Sequence, residues 1–254
     1  MSLISTEKKD GILFLGFNRP DKKNAITLDM YRAITAALRS AEADGEVRVV
    51  LVHGTPGVFT AGNDLADFLS EPMDGNSPIQ VFLDVLSHFA KPLVAAVTGP
   101  AVGIGTTMLL HCDLAYCDTT AKLSVPFINL GVTPEGGSSY LMPRIMGNVR
   151  AAELLMLGEP FNGQKAKELG LVNDVVAPEK LMETATAAAQ KLAQRPPAAL
   201  RLTKSLLKRW NRETLDQVIP AELELFAEQL RSPEAKEAMT AFFEKRKPDF
   251  SKFK

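Results

Sequence analysis

Two short β-branched runs, each closed by a glycine, constrain this chain most. "VRVVLVHG" (47–54) and "KPLVAAVTGP" (91–100) lack the apolar–polar alternation of a half-exposed strand, so each reads as a buried strand. "GILFLGFNRP" (11–20) reads as a strand ending at a turn, and "TLDMYRAITAALRSAEAD" (27–44) has helical spacing with Thr27 as N-cap. The same alternation continues through "GIGTTMLLHC" (helix), "DLAYCD" (strand), "AAELLMLGEP" and "GQKAKELG" (helices) and "LVNDVV" (strand). Strands alternating with helices predict an α/β fold with a parallel sheet. From about Met182 onward the pattern is helical, in segments 182–194, 197–210, 213–230 and 232–247. The loop "LSEPMDGNSPIQ" (69–80) carries the turn-forming residues expected of a mobile segment.

Composition narrows the function. A net charge of −1 is unlike the electrostatic footprint of a nucleic-acid binder. Three histidines supply a metal site poorly. The two cysteines, Cys112 and Cys117, lie in apolar sequence and read as buried free thiols, which suits a reducing compartment. The N-terminal stretch does not read as a secretory signal, nor "KFK" as a peroxisomal address, so a cytoplasmic location is expected. The uncharged run Pro92 to Cys112 is long enough to span a membrane. Its three glycines, two prolines and three threonines, and its split into a strand-like and a helix-like half, argue against that reading.

Three segments could carry chemistry. In "VFTAGNDLADF" (58–68) a glycine among small residues lets backbone approach a ligand, although the same spacing suits an ordinary strand-to-helix loop capped by Asp64. "TGPAVGIGTTMLLHCD" (98–113) runs strand, Gly-rich turn, helix, an order that presents free N–H groups to an anion. It lacks the spacing of a phosphate or dinucleotide loop, and tight helix–sheet packing explains its glycines equally well. The third segment is "LSVPFINLGVTPEGGSSYLMPR" (123–144), whose one charged side chain before Arg144 is Glu135. Turn chemistry places Glu135 at the surface or at a helix cap. Held instead in an apolar pocket, it would have a raised pKa and serve as a base. His53 and His111 read as packed or surface groups, and His88 has no partner identifiable from sequence.

Together these segments resemble the crotonase superfamily, the enoyl-CoA hydratases and isomerases. The matching pieces are "NRPDKKNAIT", "FTAGNDLADF", "KPLVAAVTGPAVGIG", "CDLAYCDTTAKLSVPFINLGVTPEGGSSYLMPRIMG", "GQKAKELGLVNDVV" and "FFEKRKPDF", in family order from about residue 12 to 250. The resemblance implies a crotonase (ClpP-like) spiral of ββα units over residues 1–195, holding an acyl-CoA site. It further implies a helical C-terminal region, 196–254, for capping and for assembly as a homotrimer or dimer of trimers. The implied ligand is an acyl-CoA thioester, with coenzyme A as part of the substrate, no separate cofactor, no metal, and no nucleic-acid or membrane partner.

The motif match assigns an oxyanion hole to the backbone N–H groups of Asn63 and Ile104. It assigns substrate and CoA contacts to Lys23, Asn24, Ala25, Ala61, Gly62, Asn63, Asp64, Leu65, Gly103, Pro126, Phe127 and Leu130; basic residues of "FFEKRKPDFSKFK" could touch CoA phosphates, although most of them read as a solvated tail. Where hydratases of the family carry two glutamates, this chain has Thr107 and Phe127. The remaining carboxylate, Glu135 in "TPEGG", has the context of the Δ3,Δ2-enoyl-CoA isomerases of the peroxisomal type. The resemblance therefore implies a one-base isomerase with Glu135 as catalytic acid/base; a hydratase-like or other crotonase-type acyl-CoA enzyme, and a non-catalytic acyl-CoA-binding protein, are the alternatives.

Overall fold

A computed structural model describes residues 2–68 and 77–253. Segment 69–76, most of the loop expected to be mobile, lies outside them. The strands are β1 (Ile4–Lys9), β2 (Ile12–Phe17), β3 (Val49–His53), β4 (Leu93–Val97), β5 (Pro100–Val102), β6 (Leu114–Asp118), β7 (Lys122–Ser124), β8 (Phe161–Asn162) and β9 (Asp174–Val176). The α-helices are α1 (Leu28–Ala43), α2 (Leu65–Phe68), α3 (Pro78–His88), α4 (Ile104–Thr107), α5 (Ser138–Met146), α6 (Asn148–Leu157), α7 (Gly163–Glu168), α8 (Leu181–Ala193), α9 (Pro197–Leu230) and α10 (Pro233–Phe243).

The main sheet has the order β1-β2-β3-β4-β6-β9 and is parallel except for the β1–β2 hairpin. The expected parallel α/β sheet is present; β4 is buried along its length and β3 from Val49 to Val52, with His53 half-buried. Alternate side chains of β3 serve two cores. Val49 and Leu51 face Leu181, Ala185 and Ala189 of α8, while Val50 and Val52 face the larger core that contains α1, α3 and α9.

A second sheet, β5-β7-β8, supplies the second β of the ββα units that the resemblance implied, through strands that the residue pattern had not marked. It makes the fold a spiral. After β3 the chain passes Thr60, which bridges to Ala101 of β5; after β4 comes β5 itself; after β6 comes β7, where Leu123 pairs with Ala101. The passes after β4 and β6 thus lay a strand in each sheet before a helix, and the pass after β3 lays the single bridging residue Thr60, giving the ββα repeat. β1 also went unread: its burial pattern is one buried residue followed by five exposed ones, as suits an edge strand.

The C-terminal helices differ from the expected segments. Residues 197–210 and 213–230 form one 34-residue helix, α9, which continues through Pro220. Leu215, Ile219, Leu223 and Phe226 of α9 and Ala235 of α10 join the larger core. Among the described residues no helix is long and apolar enough to cross a membrane.

Candidate active site

The two halves of the proposed oxyanion hole are brought together by tight backbone approach. Gly62 has φ +87°, and a Cβ there would lie 2.8 Å from the carbonyl oxygen of Val102, so a side chain is sterically barred. The loop 61–64 is fixed from below. Ile26 N–H donates to Gly62 O and Asp64 N–H to Ile26 O. Arg19 Nη1 donates to Asp64 Oδ2 at 2.6 Å, and this guanidinium holds the Asp64 carboxyl below its usual range. Asp64 also caps α2, accepting from Asp67 N–H.

Gly103 leads into α4, and Thr106 and Thr107 N–H both bond back to its carbonyl. α4 is one turn long and passes into a 3-10 turn at Met108–His111, so any dipole contribution is smaller than a full helix would give. The amides of Asn63 and Ile104 donate to no backbone acceptor among the described residues. Both residues line one apolar cavity of about 530 Å³.

Of the residues singled out in the sequence, Ala25, Ala61, Gly62, Asn63, Asp64, Leu65, Gly103, Ile104, Pro126, Phe127 and Leu130 line that cavity. Three do not. Asn24 is fully buried: its Nδ2 donates to Thr55 Oγ1 and to the carbonyls of Val58 and Phe59, and its Oδ1 accepts from Arg19 N–H. It pins the loop and presents no side chain to a ligand. Lys23 is displaced by its neighbour, since Lys22 lines the cavity. Glu135 is 3% exposed and does not line it either. The far wall comes from the C-terminal helices: Phe226 and Leu230 of α9, and Met239, Phe242 and Phe243 of α10. Phe127, at one missing-glutamate position, packs edge-on against Phe226.

Glu135 is neither a surface nor a capping side chain. Thr107 Oγ1, at the other missing-glutamate position, donates to its Oε1 at 2.6 Å. Burial pushes the Glu135 carboxyl up to about 8; the Thr107 bond opposes this and the Glu222 carboxylate adds to it. Its main chain is equally fixed, with Ser138 Oγ donating to Glu135 O at 2.6 Å. Tyr31, from α1, ties down the 61–64 loop: its buried hydroxyl donates to Asn63 Oδ1 at 2.5 Å, and its phenol is pushed up by burial and by the charge of Glu135.

His111 is packed, as expected. Its Nε2–H donates to Gly136 O at 2.7 Å, and burial lowers its pKa to about 4, so it acts there as a neutral donor. His88 does have partners, Asp84 and Asp216. Both cysteines are free thiols that burial pushes up to about 12. Among the described residues no group of three His, Cys, Asp or Glu side chains could hold a metal ion. Sequence reading missed Tyr31, Lys22, the Thr107–Glu135 bond and Glu222; a lone Tyr or Glu in an amphipathic helix carries no signal of what it will meet.

Residues 7–253 match the model of the enoyl-CoA hydratase/isomerase family. The chain belongs to that family. It is 37% identical over 247 residues to enoyl-CoA delta isomerase 2 of Rattus norvegicus, covering 94% of this chain and 63% of that protein. It therefore spans less than two-thirds of that relative's length. It is 34% identical over 252 residues to a probable enoyl-CoA hydratase of Rhizobium meliloti (strain 1021), covering 98% of this chain and 96% of the relative. The crystal structure of an enoyl-CoA hydratase/isomerase from Pseudoalteromonas atlantica T6c superposes with a TM-score of 0.94 at 36% identity, covering 98% of this chain and 100% of that one. The spiral is thus the crotonase fold of this family, and the chain is similar to isomerases and hydratases alike.

Proposed function

We propose that this family member isomerises 3-enoyl-CoA to 2-trans-enoyl-CoA with one carboxyl, Glu135, as both base and acid. The observation that carries the reading is the state of that carboxyl: buried, held by Thr107, and pushed up to about 8. A carboxyl with its pKa near the working pH takes up and gives back a proton readily.

Ionised Glu135 removes a proton from C2 of the 3-enoyl thioester. Electrons of the broken C–H bond form a dienolate, whose oxygen is held by the N–H groups of Asn63 and Ile104. The Glu135 carboxylic acid returns the proton at C4, the double bond moves into conjugation, and the base is regenerated. Apolar walls from α9 and α10 exclude water that would otherwise capture the proton. The coenzyme A portion is part of the substrate; Lys22 supports a phosphate contact at the mouth, and no separate cofactor enters the reaction.

α9 supports assembly as a homotrimer or dimer of trimers, because Leu202, Leu207 and Trp210 are 66%, 75% and 81% exposed in the single chain. The free thiols suit a cytoplasmic setting.

A hydratase is the second reading, favoured by the likeness to the Rhizobium meliloti protein. Hydration needs one group to activate water and another to protonate the α-carbon. The second carboxyl near Glu135 is Glu222, and both its oxygens are engaged by α5. The test is to supply 3-enoyl-CoA and crotonyl-CoA separately to the purified protein. Isomerisation much faster than hydration is expected; comparable or faster hydration would favour the second reading.

A further inference from the structure

The turn that carries Glu135 is gripped by a carboxylate from another part of the chain. Glu222 lies in the second half of α9 and is 7% exposed. Its Oε2 accepts from Gly137 N–H at 2.6 Å, and its Oε1 accepts from Ser139 N–H at 2.9 Å and from Ser139 Oγ at 2.5 Å. All three donors stand at the start of α5, whose first amides have no partner inside their own helix.

We propose that Glu222 is a positioning residue for Glu135: by fixing Gly137 and Ser139 it sets the 135–139 turn so that the base meets the Thr107 hydroxyl. This rests on the reading of Glu135 as the base. It makes α9, which also walls the cavity, part of the machinery that aims the carboxyl.

The opposite side of the turn is tied as firmly. His111 Nε2–H holds Gly136 O, and Lys208 Nζ in turn holds the His111 carbonyl. α9 presses directly on the turn: a Cβ at Gly137, which has φ +75°, would meet Leu215 Cδ2 at 2.8 Å. Side chains from α9 thus reach both ends of the segment, and among the described residues Glu222 is the one of them that supplies acceptors to its amides.

Charge adds to geometry. Both carboxyls are buried, and the Glu222 charge raises Glu135 further. Burial pushes Glu222 up as well, while its three donors pull it back. Several basic groups on neighbouring elements are paired elsewhere. Lys204 and Lys208 of α9 pair with Asp113, His88 of α3 with Asp84 and Asp216, Arg144 of α5 stacks on Tyr140, and Arg246 and Lys252 beyond α10 pair with Glu237. The other titratable groups beside the turn, Tyr31 of α1 and His111, are held neutral by burial.

The experiment uses the full chain and its Glu222→Gln and Glu222→Asp variants. Steady-state rates on 3-enoyl-CoA are measured across pH. In parallel, infrared titration follows the protonated carboxyl band of the unliganded protein, with Glu135→Gln identifying which band belongs to Glu135. In Glu222→Gln, kcat is expected to fall ~10–10²-fold with KM within about threefold, as for a displaced reacting group. The Glu135 band should titrate at lower pH than in the wild type. Glu222→Asp, which keeps the charge and shortens the reach, should lose kcat with little movement of that band. Wild-type kcat and wild-type titration in Glu222→Gln would overturn the proposal. So would a loss of kcat that only follows the folded fraction seen by near-ultraviolet circular dichroism. The infrared arm needs no turnover, so it still tests Glu222 if 3-enoyl-CoA proves not to be the substrate.

Discussion

The hydroxyl of Thr107 donates a 2.6 Å hydrogen bond to Oε1 of Glu135, and both side chains are buried. A residue at a position where hydratases of this family carry a glutamate is therefore bonded to the one carboxyl proposed to act. The bond favours the ionised form and works against the burial that disfavours it. Thr107→Val removes the donor at nearly constant volume. The Glu135 pKa should rise further, by about one unit. The acidic limb of kcat/KM against pH should move to higher pH, while Thr107→Ser should keep it in place. A Val variant with an unmoved limb would show that the bond does not tune the base.

Stability should carry the same signature. The Glu135 pKa is raised from 4.5 in the unfolded chain to about 8 in the fold. Between those values the folded state binds more protons than the unfolded state, so stability falls as pH rises. Glu135→Gln cannot ionise and should escape this loss. At pH 9 the variant should melt well above the wild type, by a margin built from about 1.4 kcal/mol per pKa unit. At pH 4 the two should melt close together. Thermal melts at the two pH values check this, and a constant difference between them would contradict the raised pKa.

The proposed oxyanion hole is backbone, so side-chain truncation cannot remove it, but Gly62→Ala can displace it. The new Cβ would collide with the carbonyl of Val102 at a φ of +87°. Pushing the Asn63 amide out of place should lower kcat by ~10²–10³-fold, the usual effect of losing one such donor. KM should change far less. A wild-type kcat in Gly62→Ala would remove the Asn63 amide from the mechanism.

Asn24 should matter to folding and not to CoA. Asn24→Ala leaves the buried carbonyls of Val58 and Phe59 without this donor, a loss of roughly 2–4 kcal/mol. Denaturant unfolding should show it, and KM for the acyl-CoA should stay within about threefold in the folded fraction. A large KM change at unchanged stability would return Asn24 to the ligand site.

How much of this was legible in sequence follows from which side chains report their surroundings. β3 and β4 were plain because strands buried on both faces leave unbroken apolar runs. β5, β7 and β8 were not, since two or three residues are too few to show a period. α9 was split in reading at Asn211 and Arg212, where the helix in fact continues, while Pro220 lies within a segment already read as helix. Most cavity residues were found through the family resemblance, where small residues recur at fixed places. Glu222 was invisible: in "PAELELF" it looks like any solvent-facing glutamate, and only the long-range packing of α9 on α5 turns it inward. Lys22 and Lys23 differ by one position in a tight turn whose sense the sequence does not declare.

The central claim is that Glu135 alone moves the proton. The measurement that tests it most directly is the rate of 3-enoyl-CoA isomerisation by Glu135→Gln beside the wild type, with acyl-CoA binding measured on both. The expected result is a loss of kcat by orders of magnitude with binding retained. Isomerisation by Glu135→Gln at the wild-type rate would contradict it.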